Sequence, residues 1–408
     1  MKPTIHHTHT PPENQIQRHI LVFSPLYPPH VGGLETHAQQ FDQEMTRRGY
    51  KITVFTPLIT PNAKLTEKSE GVHIFRFPAW EIIPNYPVPK FWQPLFWEQW
   101  HLVKKSLLTT NYSLQTIVLS RTRFFFASIM AGFYAKTHRM PWLHIEHGSD
   151  YVHLHNPLLS FIAKFYDLTL GRLILRSADA VVANSHASAA FVKKFVLQKP
   201  VTVIYRGVDI QQIQKIQPVN LHTTYYLLPA TPIITYAGRL IDGKGVTDLL
   251  NALDHLQLIN FHCFIIGQGS QLSALRRQAA NLDLADRITF LDSQPWEQTI
   301  SIIKASDIFI NPSYTEGLPT SVIEAALCQK AIIATDVGGT KEIITSSESG
   351  ILIPTHSPQI MSEKINFLVT HPELRKQMGI KAYQENIEKF NWDKSIQKYQ
   401  EILNSLTV

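Results

Sequence analysis

The feature that most constrains this chain is a regular alternation of short apolar runs with helical stretches, beginning after residue 18. Runs at 19–23, 51–55, 116–119, 142–146, 180–183 and 201–204 have the length of strands. Helical stretches fall between most of them. In the first, Leu34, Ala38, Phe41 and Met45 recur at spacings of four, three and four, and Gly49 is placed to end the helix. The alternation fades over residues 211–231, a polar stretch closed by Pro229 and Pro232. It restarts at 233–237 and continues through 261–266, 288–291, 308–310 and 331–334. Strands alternating with helices imply parallel sheets covered on both faces. The expectation is an α/β chain of two doubly wound units. The first spans 19–210 and the second 211–388, after a polar tail over 1–18. A closing helix lies within 389–408, with Trp392, Ile396, Tyr399, Leu403 and Leu406 on one face.

Composition narrows the class. The chain has 408 residues, 44% hydrophobic and 17% charged, too long and too apolar for a disordered or disulfide-stapled chain. Its net charge of +6 admits anionic partners, but no basic run interleaved with aromatics points to nucleic acid. Cys263 and Cys328 sit in apolar runs and read as reduced core residues. The longest apolar run, 124–135, falls short of the ~20 residues that span a bilayer and reads as a buried helix. The first 18 residues carry His6, His7 and His9 but lack the apolar stretch of a signal peptide. The expected location is cytoplasmic.

In open parallel sheets ligands bind beyond the carboxyl ends of the strands, so the loops after strands carry the candidate chemistry. Residues 24–35 pair Gly32 with Gly33 before a helix, where free N–H groups can meet an anion; a plain tight turn is the alternative. Glu146-His147-Gly148-Ser149-Asp150 sets a histidine at a strand end, to meet a substrate or as a structural loop residue. Arg239 and Lys244 flank a glycine-bearing turn and suit a diphosphate; a solvated basic turn is the alternative. Glu316 and Glu324 bracket Gly317-Leu318-Pro319-Thr320, with Pro319 expected at the first helical position. A loop acid and a helix acid can each grip vicinal hydroxyls, while the amides of Leu318 and Thr320 can face phosphate. Gly338-Gly339-Thr340-Lys341-Glu342 repeats the strand-end glycine pattern. No Asp-x-Asp triplet occurs, so a divalent metal is not expected, and charge neutralisation falls to the two cations and helix ends.

These pieces, in this order from about residue 19 to 406, resemble the retaining glycosyltransferases of family 4, or group 1, with the two-Rossmann GT-B fold. The resemblance rests on Tyr27-Pro28-Pro29-His30-Val31-Gly32-Gly33-Leu34-Glu35-Thr36-His37, on Arg239 with Lys244, and on the glutamate pair. It implies two Rossmann-like domains facing across a cleft, with the last helix crossing back to the first. It implies that Arg239 and Lys244 bind the diphosphate of a nucleoside-diphosphate sugar, with Gly317, Leu318 and Thr320 beside them. Glu316 would hold the transferred sugar and Glu324 the ribose. Gly33 would admit the phosphates, His147 would sit by the reacting centre, and Gly32, Glu35 and His37 would lie on the acceptor side. The acceptor would be a glycan or a lipid-linked sugar, with no cofactor. Two departures stand out: Arg206 precedes Gly207-Val208-Asp209 where the family often has Asn, and Gln329-Lys330-Ala331 replaces Gly-x-Pro.

Residues 77–100 hold eight aromatics, four of them tryptophans, followed by Lys104 and Lys105. They read either as a contact with the inner face of a membrane or as a packed flap over the acceptor cleft. An epimerase of the same architecture and an inactive scaffold are the competing functions. The loop at 27–37 speaks against the first, and the presence of Arg239, Lys244 and Glu316 against the second.

Overall fold

Strands that are apolar at consecutive positions need cover on both faces, and the sheets are built that way. The computed structural model describes residues 18–30, 32–83, 86–108, 116–151, 157–256 and 260–407. All but one residue of the expected tail, with its three histidines, lies outside them, as does Val31.

The first sheet contains β1 (His19–Phe23), β2 (Lys51–Leu58), β3 (Thr66–Ser69), β4 (Val72–Ile83), β5 (Tyr86–Pro89), β6 (Thr116–Arg121), β7 (Trp142–Glu146), β8 (Ala180–Ala183) and β9 (Val201–Val203). Their order is β3-β4-β2-β1-β6-β7-β8-β9, with β5 paired to β4. All pairs are parallel except β3–β4 and β4–β5. Its helices are α1 (Gly33–Arg47), α2 (Pro94–Leu108), α3 (Phe126–Thr137), α4 (Pro157–Tyr166), α5 (Arg172–Ser177) and α6 (His186–Lys193). A π-turn at Asp167–Gly171 joins α4 to α5.

The second sheet is wholly parallel. It orders β10 (Ile233–Ala237), β11 (His262–Ile266), β12 (Ile288–Leu291), β13 (Ile308–Asn311), β14 (Ala331–Thr335) and β15 (Ile351–Ile353) as β12-β11-β10-β13-β14-β15. Two short helices, α7 (Ile210–Lys215) and α8 (Leu221–Thr224), lead into it. Around it lie α9 (Val246–Asp254), α10 (Leu272–Asn281), α11 (Trp296–Ala305), α12 (Thr320–Leu327), α13 (Pro358–Thr370) and α14 (Pro372–Asn386).

The last helix, α15 (Trp392–Ser405), returns to the first sheet. Its Ile396, Tyr399 and Leu403 are buried with Phe41, Met45 and Val54 in one cluster, and Tyr399 meets Phe41 edge-on at 4.8 Å. Cys263 and Cys328 are buried and free. Among the described residues, no helix is long and apolar enough to cross a membrane.

Three expectations need correction. The stretch 211–231 is less irregular than its weak period implies: Asp209 and Asn220 cap α7 and α8 by accepting from the Gln212 and Thr223 amides. The run 124–135 does not make a wholly buried helix. In α3 Ala127, Ala131, Tyr134 and Ala135 face inward, while Phe133 is 73% exposed. Pro319 stands one position before the helix it was expected to begin, as the extended N-cap of α12.

Candidate functional site

Both sheets reverse their order once, between β1 and β6 and between β10 and β13. A reversal leaves a crevice at the carboxyl ends of the two strands, because the loops there turn to opposite faces. The loops after β1, β7, β10 and β13 carry Gly33, His147, Arg239 with Lys244, and Glu316, so topology brings the first two to the carboxyl end of one sheet and the other three to that of the second.

On the second sheet, the chain leaves β10 through Gly238-Arg239 and makes a single 3-10 turn over Asp242–Lys244 before α9. Lys244 Nζ donates to Glu316 Oε1 at 2.6 Å across a partly buried ion pair. Arg239 is exposed, its carbonyl accepting from the Tyr236 hydroxyl at 2.9 Å. Its charge reaches the first sheet: it opposes the rise that the Glu35 hydrogen bond gives the His30 imidazole. Residues 316–318 then lead into α12, whose first N–H groups lack intrahelical partners. Thr320 stands at that end with its side chain bonded by Arg206, and Leu318 is buried beneath it.

The first sheet clamps this loop. Ser149 Oγ donates to the Glu316 carbonyl at 2.6 Å, and Ser185 Oγ to the Gly317 carbonyl at 3.0 Å. The fit depends on two glycines. A Cβ on Gly317 would stand 2.0 Å from the His147 carbonyl oxygen, and one on Gly338, whose φ is +51°, 1.6 Å from the Glu316 oxygen. Gly33 faces Thr320 Oγ1 at 3.5 Å from its Cβ position, which leaves the α1 end open toward α12. Arg206, three residues past the end of β9, bridges the halves. It donates to Thr320 Oγ1, to the Gly33 carbonyl at 3.4 Å and to Gln40 at 3.3 Å. Burial pushes its guanidinium down to about 10, with Glu324 opposing, so it stays charged at neutral pH.

His147 follows β7. Its Nε2 is buried without a hydrogen-bond partner, and burial pushes the imidazole down to about 3 against the pull of Glu146. Asn184 lies 3.5 Å from Nδ1. The His37 ring stands 5.0 Å away, stacked on Trp392 at 5.7 Å, and burial holds it neutral as well. Some candidates therefore do not line open space. His37 is buried behind His147, Glu35 turns inward to His30 at 2.5 Å, and Gly32, the N-cap of α1, packs on the Glu35 carboxylate. Glu324 is buried on α12 and accepts from the Trp296 indole N–H at 2.8 Å.

Sequence reading missed the groups that hold the His147 loop. Buried Glu146 accepts from the His147 amide at 3.0 Å and the Gly148 amide at 2.8 Å. Burial acts to raise its carboxyl, but Arg123 foremost, with His144 and the Gly148 amide, holds it far below the usual range. Arg123 also binds Asp167 at 2.8 Å. Glu146 was visible as a charge inside an apolar strand. Arg123 and Asp167 gave no signal, being separated by 44 residues. Glu342, quoted only within a glycine motif, accepts from the His186 and Ala187 amides at the start of α6 and from Tyr205.

Two Rossmann-like α/β units with their switch points facing one crevice, lined by cations, helix ends and carboxylates, define a GT-B glycosyltransferase architecture. The chain belongs to the group 1 glycosyltransferases. Residues 227–385 match the model of "Glycosyl transferases group 1", and residues 31–212 that of "Glycosyltransferase Family 4". An uncharacterized glycosyltransferase of Methanocaldococcus jannaschii is 34% identical over 95% of this chain and 98% of its own length. Sucrose-phosphate synthase from Thermosynechococcus elongatus superposes with a TM-score of 0.76 at 20% identity, covering 96% of this chain and 99% of that one. Anabaena HepE, solved with UDP-glucose, superposes with a TM-score of 0.72 at 20% identity, covering 95% and 99%.

Proposed function

We propose that this glycosyltransferase moves a sugar from a nucleoside-diphosphate donor to a hydroxyl of a glycan or lipid-linked acceptor, with retention at the anomeric carbon. The setting is the synthesis of cell-surface polysaccharide or glycolipid. The observation that carries the reading is the Lys244–Glu316 pair at the mouth of α12, opposite Gly33 and His147. It supports a reading in which a cation for the diphosphate stands beside an acid for sugar hydroxyls, close to a helix N-terminus.

In the proposed reaction the bond from the anomeric carbon to the diphosphate oxygen breaks while the acceptor oxygen bonds to the same face. The acceptor proton passes to the departing phosphate oxygen. Arg239, Lys244 and the α12 amides meet the developing negative charge, so the protein works through position and electrostatics. Neutral His147 packs against the reacting centre without supplying a charge. Glu324, held by Trp296, is given the ribose, and Glu35 and His37 shape the acceptor side from behind. The reaction needs no metal and proceeds in the presence of a chelator.

HepE was solved with UDP and with UDP-glucose, which makes uridine the first base to test. The test is thermal unfolding of the chain and of Lys244→Ala with UDP, GDP and ADP. A ligand at 100 times its Kd adds about 2.7 kcal/mol. One nucleotide is expected to stabilise the native chain and to fail on Lys244→Ala. Lys244→Ala and Glu316→Ala are each expected to cut turnover at least about tenfold, the scale of one lost transition-state contact. No shift with any nucleotide, or native turnover in both variants, overturns the assignment.

A further inference from the structure

A helix on the surface of a soluble domain turns its bulky apolar residues inward. The segment 157–177 does the reverse. Within α4 the buried residue is Ala163, while Phe161 and Phe165 are 68% and 61% exposed and Ile162 stands beside them in solvent. The π-turn and α5 continue the face with Leu168, Leu170 and Leu173, all exposed. Six bulky apolar residues exposed within residues 161–173 mark an interaction surface.

The charges of this segment are one-sided. Its exposed ionic groups are Lys164, Arg172 and Arg176. Its single acid, Asp167, is fully buried and tied to Arg123 at 2.8 Å. Lys194 adds a fourth cation at the same edge: Lys164 lies over Tyr151, Tyr151 meets Phe191 at 5.1 Å, and Lys194 lies over Phe191. Aromatic contacts extend the surface to the β4–β5 hairpin. Phe124 meets Tyr166 of α4 at 5.0 Å, Tyr86 of β5 stacks on Phe125 at 5.4 Å, and the hairpin carries exposed Trp80 against exposed Trp92.

We propose that the exposed face of 161–173 is a membrane-docking surface that lies in the plane of a bilayer bearing anionic headgroups. Phe161, Ile162, Phe165, Leu168, Leu170 and Leu173 enter the acyl boundary, and Lys164, Arg172 and Arg176 meet the phosphates around them. The charge pattern selects a bilayer over a second copy of the chain. A two-fold contact sets a patch against itself, and this one would oppose cation to cation with no exposed acid in the segment to relieve them. The surface is also tied to the candidate site. Asp167 and the Tyr166 hydroxyl hold Arg123, and Arg123 holds Glu146, whose carboxylate carries the His147 and Gly148 amides. On the transferase reading, on which this consequence rests, docking brings a lipid-linked acceptor to the His147 loop.

The test is flotation of the full chain with vesicles of phosphatidylcholine alone and of phosphatidylcholine mixed with phosphatidylglycerol. Binding is expected with the anionic vesicles, reduced by high salt and by omission of phosphatidylglycerol. Phe161→Ser/Phe165→Ser and Lys164→Glu/Arg172→Glu are each expected to lower the partition at least about tenfold. Both pairs are exposed, so circular dichroism and thermal unfolding without nucleotide should match the native chain. No flotation with anionic vesicles overturns the proposal. So does flotation undiminished in both variants, or a dimer in sedimentation that Phe161→Ser/Phe165→Ser abolishes while vesicle binding is absent. None of these readouts needs a donor, so failure of the transferase reading and failure of docking are told apart.

Discussion

The site's histidine is defined by the burial of its ring nitrogen. His147 has Nε2 buried without a partner, and burial holds the ring near a pKa of about 3. It is therefore neutral at the pH where a diphosphate carries its full charge, and in the proposed reaction neutralising that charge falls to Arg239 and Lys244. The same burial fixes a pH effect on stability. In the unfolded chain the ring binds a proton below about pH 6.5; in the folded chain it does not until about 3. The unfolded state therefore takes up more protons as pH falls, and stability is lost progressively from about 6.5 downward. At about pH 5 one such histidine costs about 2 kcal/mol. His147→Asn should remove that share and leave those of His19 and His37, which burial also holds low. Urea unfolding at neutral and mildly acid pH measures it. An equal pH dependence in variant and native chain would mean the ring is solvated.

Among elements, the decisive contact is the interlock of the β7 and β13 loops. Gly317 lets them close, because any Cβ there meets the His147 carbonyl. Gly317→Ala should push the 316–318 loop off the first sheet, costing about 1–3 kcal/mol by overpacking. It should also weaken nucleotide binding, since Lys244 and the α12 end lose their common geometry. Calorimetry with whichever nucleotide stabilises the native chain checks this, and unchanged affinity would show that the interlock does not shape the donor side. The strands that build this contact were legible in sequence because β1, β7, β10 and β14 are apolar at most positions, and every position in them is buried, the mark of strands covered on both faces. The β3 and β5 edges were not. Thr66–Ser69 is polar and Tyr86–Pro89 is rich in proline, so neither carries a hydrophobic period. Motif residues were legible as a set, but not their orientation. That the Glu324 carboxylate accepts from the Trp296 indole could not be read, because the partner lies 28 residues away and leaves no local trace. Nor did any period announce that α4 would turn its phenylalanines outward, because an apolar helix reads alike whichever face is covered.

For the whole molecule, the first half is built from β1–β9 together with α15, with the second half inserted between two crossings. The crossings are zipped together. The Val208 amide donates to the Phe390 carbonyl at 2.9 Å, Val208 bridges to Asn391, and the Trp392 ring fills the place a Cβ on Gly207 would take. Trp392 then stacks on His37 and opens α15, whose inner face completes the first hydrophobic core. One side chain thus joins the hinge, the wall behind His147 and the packing of the first sheet. Trp392→Ala should cost about 3–5 kcal/mol, the range for a buried large aromatic. The loss should fall on the first half, because the second sheet keeps its own cores. Urea unfolding followed by far-ultraviolet circular dichroism should therefore change from one transition in the native chain to two in Trp392→Ala, the earlier belonging to the first half. Nucleotide binding, which the proposed function assigns to the second half, should outlast the first transition in part. A single transition displaced by less than about 1 kcal/mol, an ordinary surface effect, would mean that α15 is an appendage rather than a member of the core it closes.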